Sequence, residues 1–151
     1  SYALTVNDAF TINDTFTQGT GNVSATSYTV GASANWTNTS TGDVTVGTGG
    51  VANSGTITLG DINTCGGANN IAITSSSSGN QRSWSGSGTF NIYDTTVQDQ
   101  GGSAAITAYS SQSVSGNGGN WTFDNVCPAI QVQGVRLQGG NVRLRGGTKV
   151  L

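Results

Sequence analysis

The chain contains no glutamate, no methionine and no histidine, and Lys149 is its single lysine. The residues that ordinarily fill helix surfaces are thus almost missing, while threonine and valine, which suit a pleated strand, are frequent. No helix of normal length is expected anywhere. With 24 glycines against one proline, the chain has many places where it can turn sharply and few where a turn is rigid. Charged residues make up only 8% of the 151, too few for a highly charged disordered segment, and Trp, Phe, Tyr, Ile, Leu and Val recur throughout. The length suits one domain that can bury its own core.

The first stretch, Tyr2 to Thr17, holds a hexad written twice: Thr5-Val-Asn-Asp-Ala-Phe10 and Thr11-Ile-Asn-Asp-Thr-Phe16. Read as one extended strand, alternation puts Leu4, Val6, Phe10, Ile12 and Phe16 on one face. Asp8 and Asp14 interrupt that face and mark places where the strand kinks or leaves a groove. Such a strand pairs within its own domain, turns as a hairpin at Asn7-Asp8, or completes the sheet of a neighbouring copy.

Gly-Gly pairs recur at 49–50, 66–67, 101–102, 118–119, 139–140 and 146–147, between short alternating stretches such as Thr56 to Leu59, Asn70 to Thr74 and Asn120 to Phe123. Read as tight hairpin turns, they predict an all-β antiparallel β-sandwich, jelly-roll or immunoglobulin-like. The expected division is an extended N-terminal strand over 1–17 and a sandwich domain over 18–151. Hexads can also mark the coils of a β-helix, but two are too few to support one.

A second duplication, Gly134 to Gly140 and Asn141 to Gly147, reads as a hairpin with Val and Leu on one face. Arg136, Arg143, Arg145 and Lys149 make this end basic, whereas residues 1–134 carry seven Asp against Arg82, for a formal net charge of −2 over the whole chain. The basic end suits an electrostatic contact with the acidic body of another copy, or a solvated edge that resists aggregation. Four charges without interleaved aromatics fall short of a nucleic-acid footprint.

Cys65 and Cys127 suit one disulfide in an oxidising compartment; two buried free thiols is the other reading. Two ligands without histidine make no zinc site. A first residue other than Met suits a processed mature end, and a chosen boundary would look the same. No run of about 18 apolar residues is present, so no membrane-spanning helix is expected. Asn13, Asn22, Asn35, Asn38 and Asn120 each begin an N-x-[ST] sequon, open to N-glycosylation in a source that performs it. Together these signals place the protein outside the cell or on its surface.

Without histidine there is no Ser-His-Asp or Cys-His arrangement, and nothing in the spacing of the seven Asp selects a glycosidase pair. Neither an enzymatic activity nor a cofactor is expected. Trp36, Trp84 and Trp121 could serve as sugar-stacking platforms if exposed, or as core.

The amphipathic N-terminal strand, the Thr/Asn/Gly-rich all-β body and the single cysteine pair together resemble donor-strand-complemented pilins and related extracellular filament subunits of bacteria and archaea. The resemblance implies a homopolymer in which Leu4, Val6, Phe10, Ile12 and Phe16 fill a groove of the next subunit. The C-terminal signature of chaperone-usher pilins is absent. The other expectations are a secreted carbohydrate-binding or adhesin domain that takes surface glycans, and a small jelly-roll capsid or phage-fibre protein.

Overall fold

The structure is a computed structural model that describes residues 2–68 and 70–128. The basic segment with Arg136, Arg143, Arg145 and Lys149 lies outside the described residues.

Each turn of the chain lays one or two strands on a first sheet and one on a second, then returns to the first. The coils run β1 (Leu4–Ile12) and β2 (Thr15–Thr17), β3 (Val23–Val30) and β4 (Asn35–Asn38), then β5 (Val44–Asn53) and β6 (Thr56–Leu59). They continue as β7 (Ile71–Ser75), β8 (Arg82–Ser85) and β9 (Thr89–Tyr93), then β10 (Thr95–Gln98), β11 (Gln100–Gly102) and β12 (Ile106–Tyr109). The last described coil is β13 (Gln112–Ser115) and β14 (Trp121–Asp124). The eight-stranded first sheet follows the order β1-β3-β5-β7-β10-β13, with β8 and β11 continuing β7 and β10 along the far half of β5. The six-stranded second sheet runs β2-β4-β6-β9-β12-β14.

Every described strand pairing is parallel, so the fold is a parallel β-solenoid and the expected antiparallel sandwich is overturned. The hairpin reading failed at the glycines. Gly49 and Gly50 lie inside β5, and Gly101 and Gly102 inside β11. At several glycines the cause is the neighbouring coil. A Cβ on Gly42 would run into the carbonyl oxygen of Gly21, one coil earlier, and one on Gly88 would meet Gly55 in the same way. Parallel coils stack their corners as well as their strands, and the backbone there comes too close for a side chain.

The two hexads divide as their Asn-Asp pairs suggest. The β1–β3 register shifts between Val6 and Ala9, around Asn7-Asp8, and the chain turns from the first sheet to the second at Asn13-Asp14. The second hexad is therefore a corner, not the continuation of one strand. Both carboxylates are exposed, and Asp8 accepts a hydrogen bond from the Ala9 N–H at 2.8 Å.

The sheets close on one core. Tyr28 and Trp36 stack with ring centroids 4.8 Å apart, and Trp84 meets Trp121 edge-on at 5.2 Å. Fully burying each large apolar side chain is worth about 1.5–3 kcal/mol. An indole N–H in such a core needs an acceptor, and inward-facing glutamines supply two. Trp36 donates to Gln18 at 3.3 Å and Trp84 to Gln100 at 2.7 Å. Buried asparagines close the corners: Asn53 accepts from the Gly55 N–H and donates to the Thr89 carbonyl, tying one coil to the next.

Tyr28 is buried, and its hydroxyl donates to the Thr45 carbonyl at 2.9 Å. Burial pushes its pKa well above the ordinary phenol value of 10.0. The fold favours the neutral phenol, so this contribution is intact below about pH 10 and is lost as pH climbs above the unfolded value. Burial first, and the nearby Tyr109 second, raise Tyr93 in the same direction. Tyr28→Phe should therefore flatten the alkaline limb of a stability-against-pH curve, at the cost of about 1 kcal/mol at neutral pH for the lost hydrogen bond. Denaturant titrations from pH 7 to 11 on both proteins measure this, and parallel curves would refute it.

Candidate functional site

The most distinctive chemistry of the described chain lies at the N-terminal end of the solenoid. The alternation in the first seventeen residues points one set of side chains inward, and the structure gathers that set into a single layer. Phe10 and Phe16 meet edge-on at 4.9 Å. Phe10 lies over Tyr28 and Phe16 over Trp36, each with centroids 6.2 Å apart. Ile12 is buried at 4% exposure, while Val6, Phe10 and Phe16 are only partly buried against the core, and Leu4 remains 40% exposed. One side of this layer meets the next coil. No described residue covers the other.

Among the described residues the main chain is open on the same side. β1 pairs only with β3 and β2 only with β4, so each ends its sheet. The Leu4 N–H donates to the Asn22 carbonyl at 2.8 Å. In a parallel ladder, the N–H groups of alternate residues face opposite neighbours, so the Thr5 N–H faces the free edge. Leu4, Val6, Phe10, Ile12 and Phe16 are thus brought together by β1 and β2, which pair with β3 and β4 of their own chain and not, as a donor strand would, with another copy's groove.

The opposite end is also open among the described residues. All of β13 is exposed, Val114 to 51%, and the buried Trp121 Nε1 finds no partner there. β13 and β14 end the two sheets as β1 and β2 begin them.

The tryptophans are core: Trp36 and Trp84 are fully buried and Trp121 is 5% exposed. Asn13, Asn22, Asn35 and Asn120 are exposed, whereas Asn38 is buried, its amide donating to the Gly42 carbonyl at 2.7 Å. The oxygens of Asp61, Asp94 and Asp99 accept backbone N–H groups at the corners. No group of three or more metal-ligating side chains occurs among the described residues. No helix there is long and apolar enough to cross a membrane.

Cys65 and Cys127 form a disulfide, Cα atoms 5.9 Å apart across 62 residues of sequence. It ties the loop after β6, which carries a single 3₁₀ turn at Ile62–Thr64, to the chain just beyond β14. Closing a loop of this size stabilises the fold by about 4 kcal/mol in the chain-entropy model. Reductant should lower the denaturant midpoint of the native protein, and Cys65→Ser/Cys127→Ser should show the lowered midpoint with no further response. An unchanged midpoint on verified reduction would contradict the assignment. Compared with known proteins, the chain matches no family profile, no curated relative and no solved structure.

Proposed function

We propose that this protein is a structural subunit of an extracellular filament or surface assembly, built by stacking solenoids end to end. The observation that carries the reading is the first coil: among the described residues, an apolar layer covered on one side and bordered by two sheet edges with unpaired main-chain groups. Exposed edges of this kind are templates for another strand. A second copy is the natural occupant, because among the described residues each copy has parallel edges open at its other end, on β13 and β14. Such a contact joins two different surfaces at opposite ends of the strand order, so each added copy continues the stack and the contact propagates as a fibre. Main-chain pairing and apolar anchors then act together, as in strand addition to a sheet edge.

This reading departs from the donor-strand exchange that the resemblance to filament subunits implies, because β1 and β2 pair with β3 and β4 of their own chain. Leu4, Val6, Phe10 and Phe16 stay in their own coil and meet the neighbour with their outer side, so no strand needs to leave its domain. The extracellular setting draws support from the disulfide and from the exposed sequon asparagines. A tryptophan-based sugar site loses its platform, since all three indoles are core.

Thr5→Pro removes an N–H from the free edge and leaves the main-chain hydrogen bonds to β3 in place, losing only the exposed bond from the Ser24 hydroxyl to the Thr5 hydroxyl. Combined with Leu4→Lys, it sets a charge on the open layer. The unaltered protein should sediment as a concentration-dependent series and show fibres by negative stain. The double variant should remain monomeric with nearly the same melting temperature. A monomeric parent at every concentration, or a variant that assembles equally well, would refute the proposal.

A further inference from the structure

The outer face of the second sheet forms a regular array. Along its strands, large apolar residues point inward and threonines point out: Thr15 and Thr17 flank Phe16, and Thr56 and Thr58 flank Ile57. The parallel register stacks these into files, Thr15 on Asn35 on Thr56 on Thr89, and Thr17 on Thr37 on Thr58 on Asn91. Thr107, paired with Thr122, prolongs the second file, because the following Ala108 pairs with Ile92. In its described strands Asp124, at the far end, is the only charge.

A second, independent observation concerns where the chain tolerates irregularity. No register shift occurs in any pairing of the second sheet, whereas the first sheet shifts in β1–β3, β3–β5 and β10–β13. From Thr15 to Asn35 to Thr56 to Thr89 the coils differ in length, yet the files stay aligned. The extra residues leave through the loop after Leu59 and the loop after Ser75.

We infer that this face binds ice. The array repeats at about 4.8 Å between strands and about 6.7 Å along them. Both repeats lie close to those of water oxygens on prism faces of hexagonal ice. A single hydroxyl gains nothing by leaving liquid water for ice. A rigid lattice of hydroxyls can hold a patch of ordered water in register, because folding has already fixed their positions. Threonine suits this better than serine: its branched side chain is stiff at χ1, and its methyl group disfavours a disordered hydration layer. Charged groups would hold liquid-like shells, and the files carry none. The inference does not depend on end-to-end assembly, since one molecule presents the whole array.

The test uses the full chain in a nanolitre osmometer. The protein should shape growing ice crystals into facets and open a gap between melting and freezing. Thr58→Lys, in the middle of the second file, should abolish most of that gap while keeping the parent's circular dichroism and melting temperature. Thr45→Lys, on the outer face of the first sheet, should retain it. Because Thr58→Lys could disturb folding, Thr58→Val serves as a milder second variant and should reduce the gap. Round, unshaped crystals from the folded parent would overturn the inference. So would equal losses for Thr58→Lys and Thr45→Lys, or pull-down on crystalline cellulose or chitin by a parent without effect on ice.

Discussion

The structure depends on parallel strands stacking in register, coil on coil. Main-chain hydrogen bonding fixes the spacing, and each inward residue then lies directly on its equivalent in the next coil. Phe10 lies on Tyr28 and Phe16 on Trp36 for this reason, and Val23, Val44 and Ile73 form one continuous file. The same geometry governs the corners. The backbone of one coil passes against the backbone of the next, so Gly42 and Gly88 have no room for a side chain. Polar groups trapped at these corners need partners within reach, which Asn38, Asn53, Gln18 and Gln100 provide. Removing one such partner strands buried backbone groups at about 1–3 kcal/mol each.

Part of this was legible in the chain. The missing helix formers gave the all-β class. Alternation identified Leu4, Val6, Phe10, Ile12 and Phe16 as one inward set, and the two Asn-Asp pairs located the bulge and the first corner. What alternation does not report is the partner of a strand. Period-two patterning looks the same whether the neighbour in the sheet is the next strand or the next but one. The coil period was obscured by unequal lengths, since the step from Thr56 to its partner Thr89 contains two loops. A usable signal was present: a large apolar residue flanked by threonine or asparagine recurs as Thr15-Phe-Thr17, Asn35-Trp-Thr37, Thr56-Ile-Thr58 and Thr89-Phe-Asn91. Aligning those triplets would have exposed the coils without the hexads.

A stack of coils is nearly one-dimensional: each coil contacts its neighbours, and stability is approximately a sum of coil and interface terms. The first and last described coils have a described neighbour on one side only, and there Leu4 and Val114 are exposed although Val44 and Val97 are fully buried. The disulfide modifies this picture. It links the chain after β14 to a loop that follows β6, across coils that do not touch directly. Opening of the last coil is thereby coupled to the middle of the stack.

In-register stacking also accounts for the scarcity of charge. Any residue on an outer face has its equivalent in the next coil about 4.8 Å away. A repeated charged position would build a column of like charges, each destabilising its neighbours. The described aspartates avoid this. Asp124 lies against Tyr109, and Asp43 is level with Asn22, whose side chain accepts its N–H at 2.9 Å. Threonine, serine and asparagine carry no such penalty and can hydrogen-bond along the column, as Asn91 does to Thr58 at 3.2 Å. The composition that first suggested strands is therefore also what a stack of parallel coils demands of its exterior, and a hydroxyl-rich, uncharged face is the form in which that demand is met.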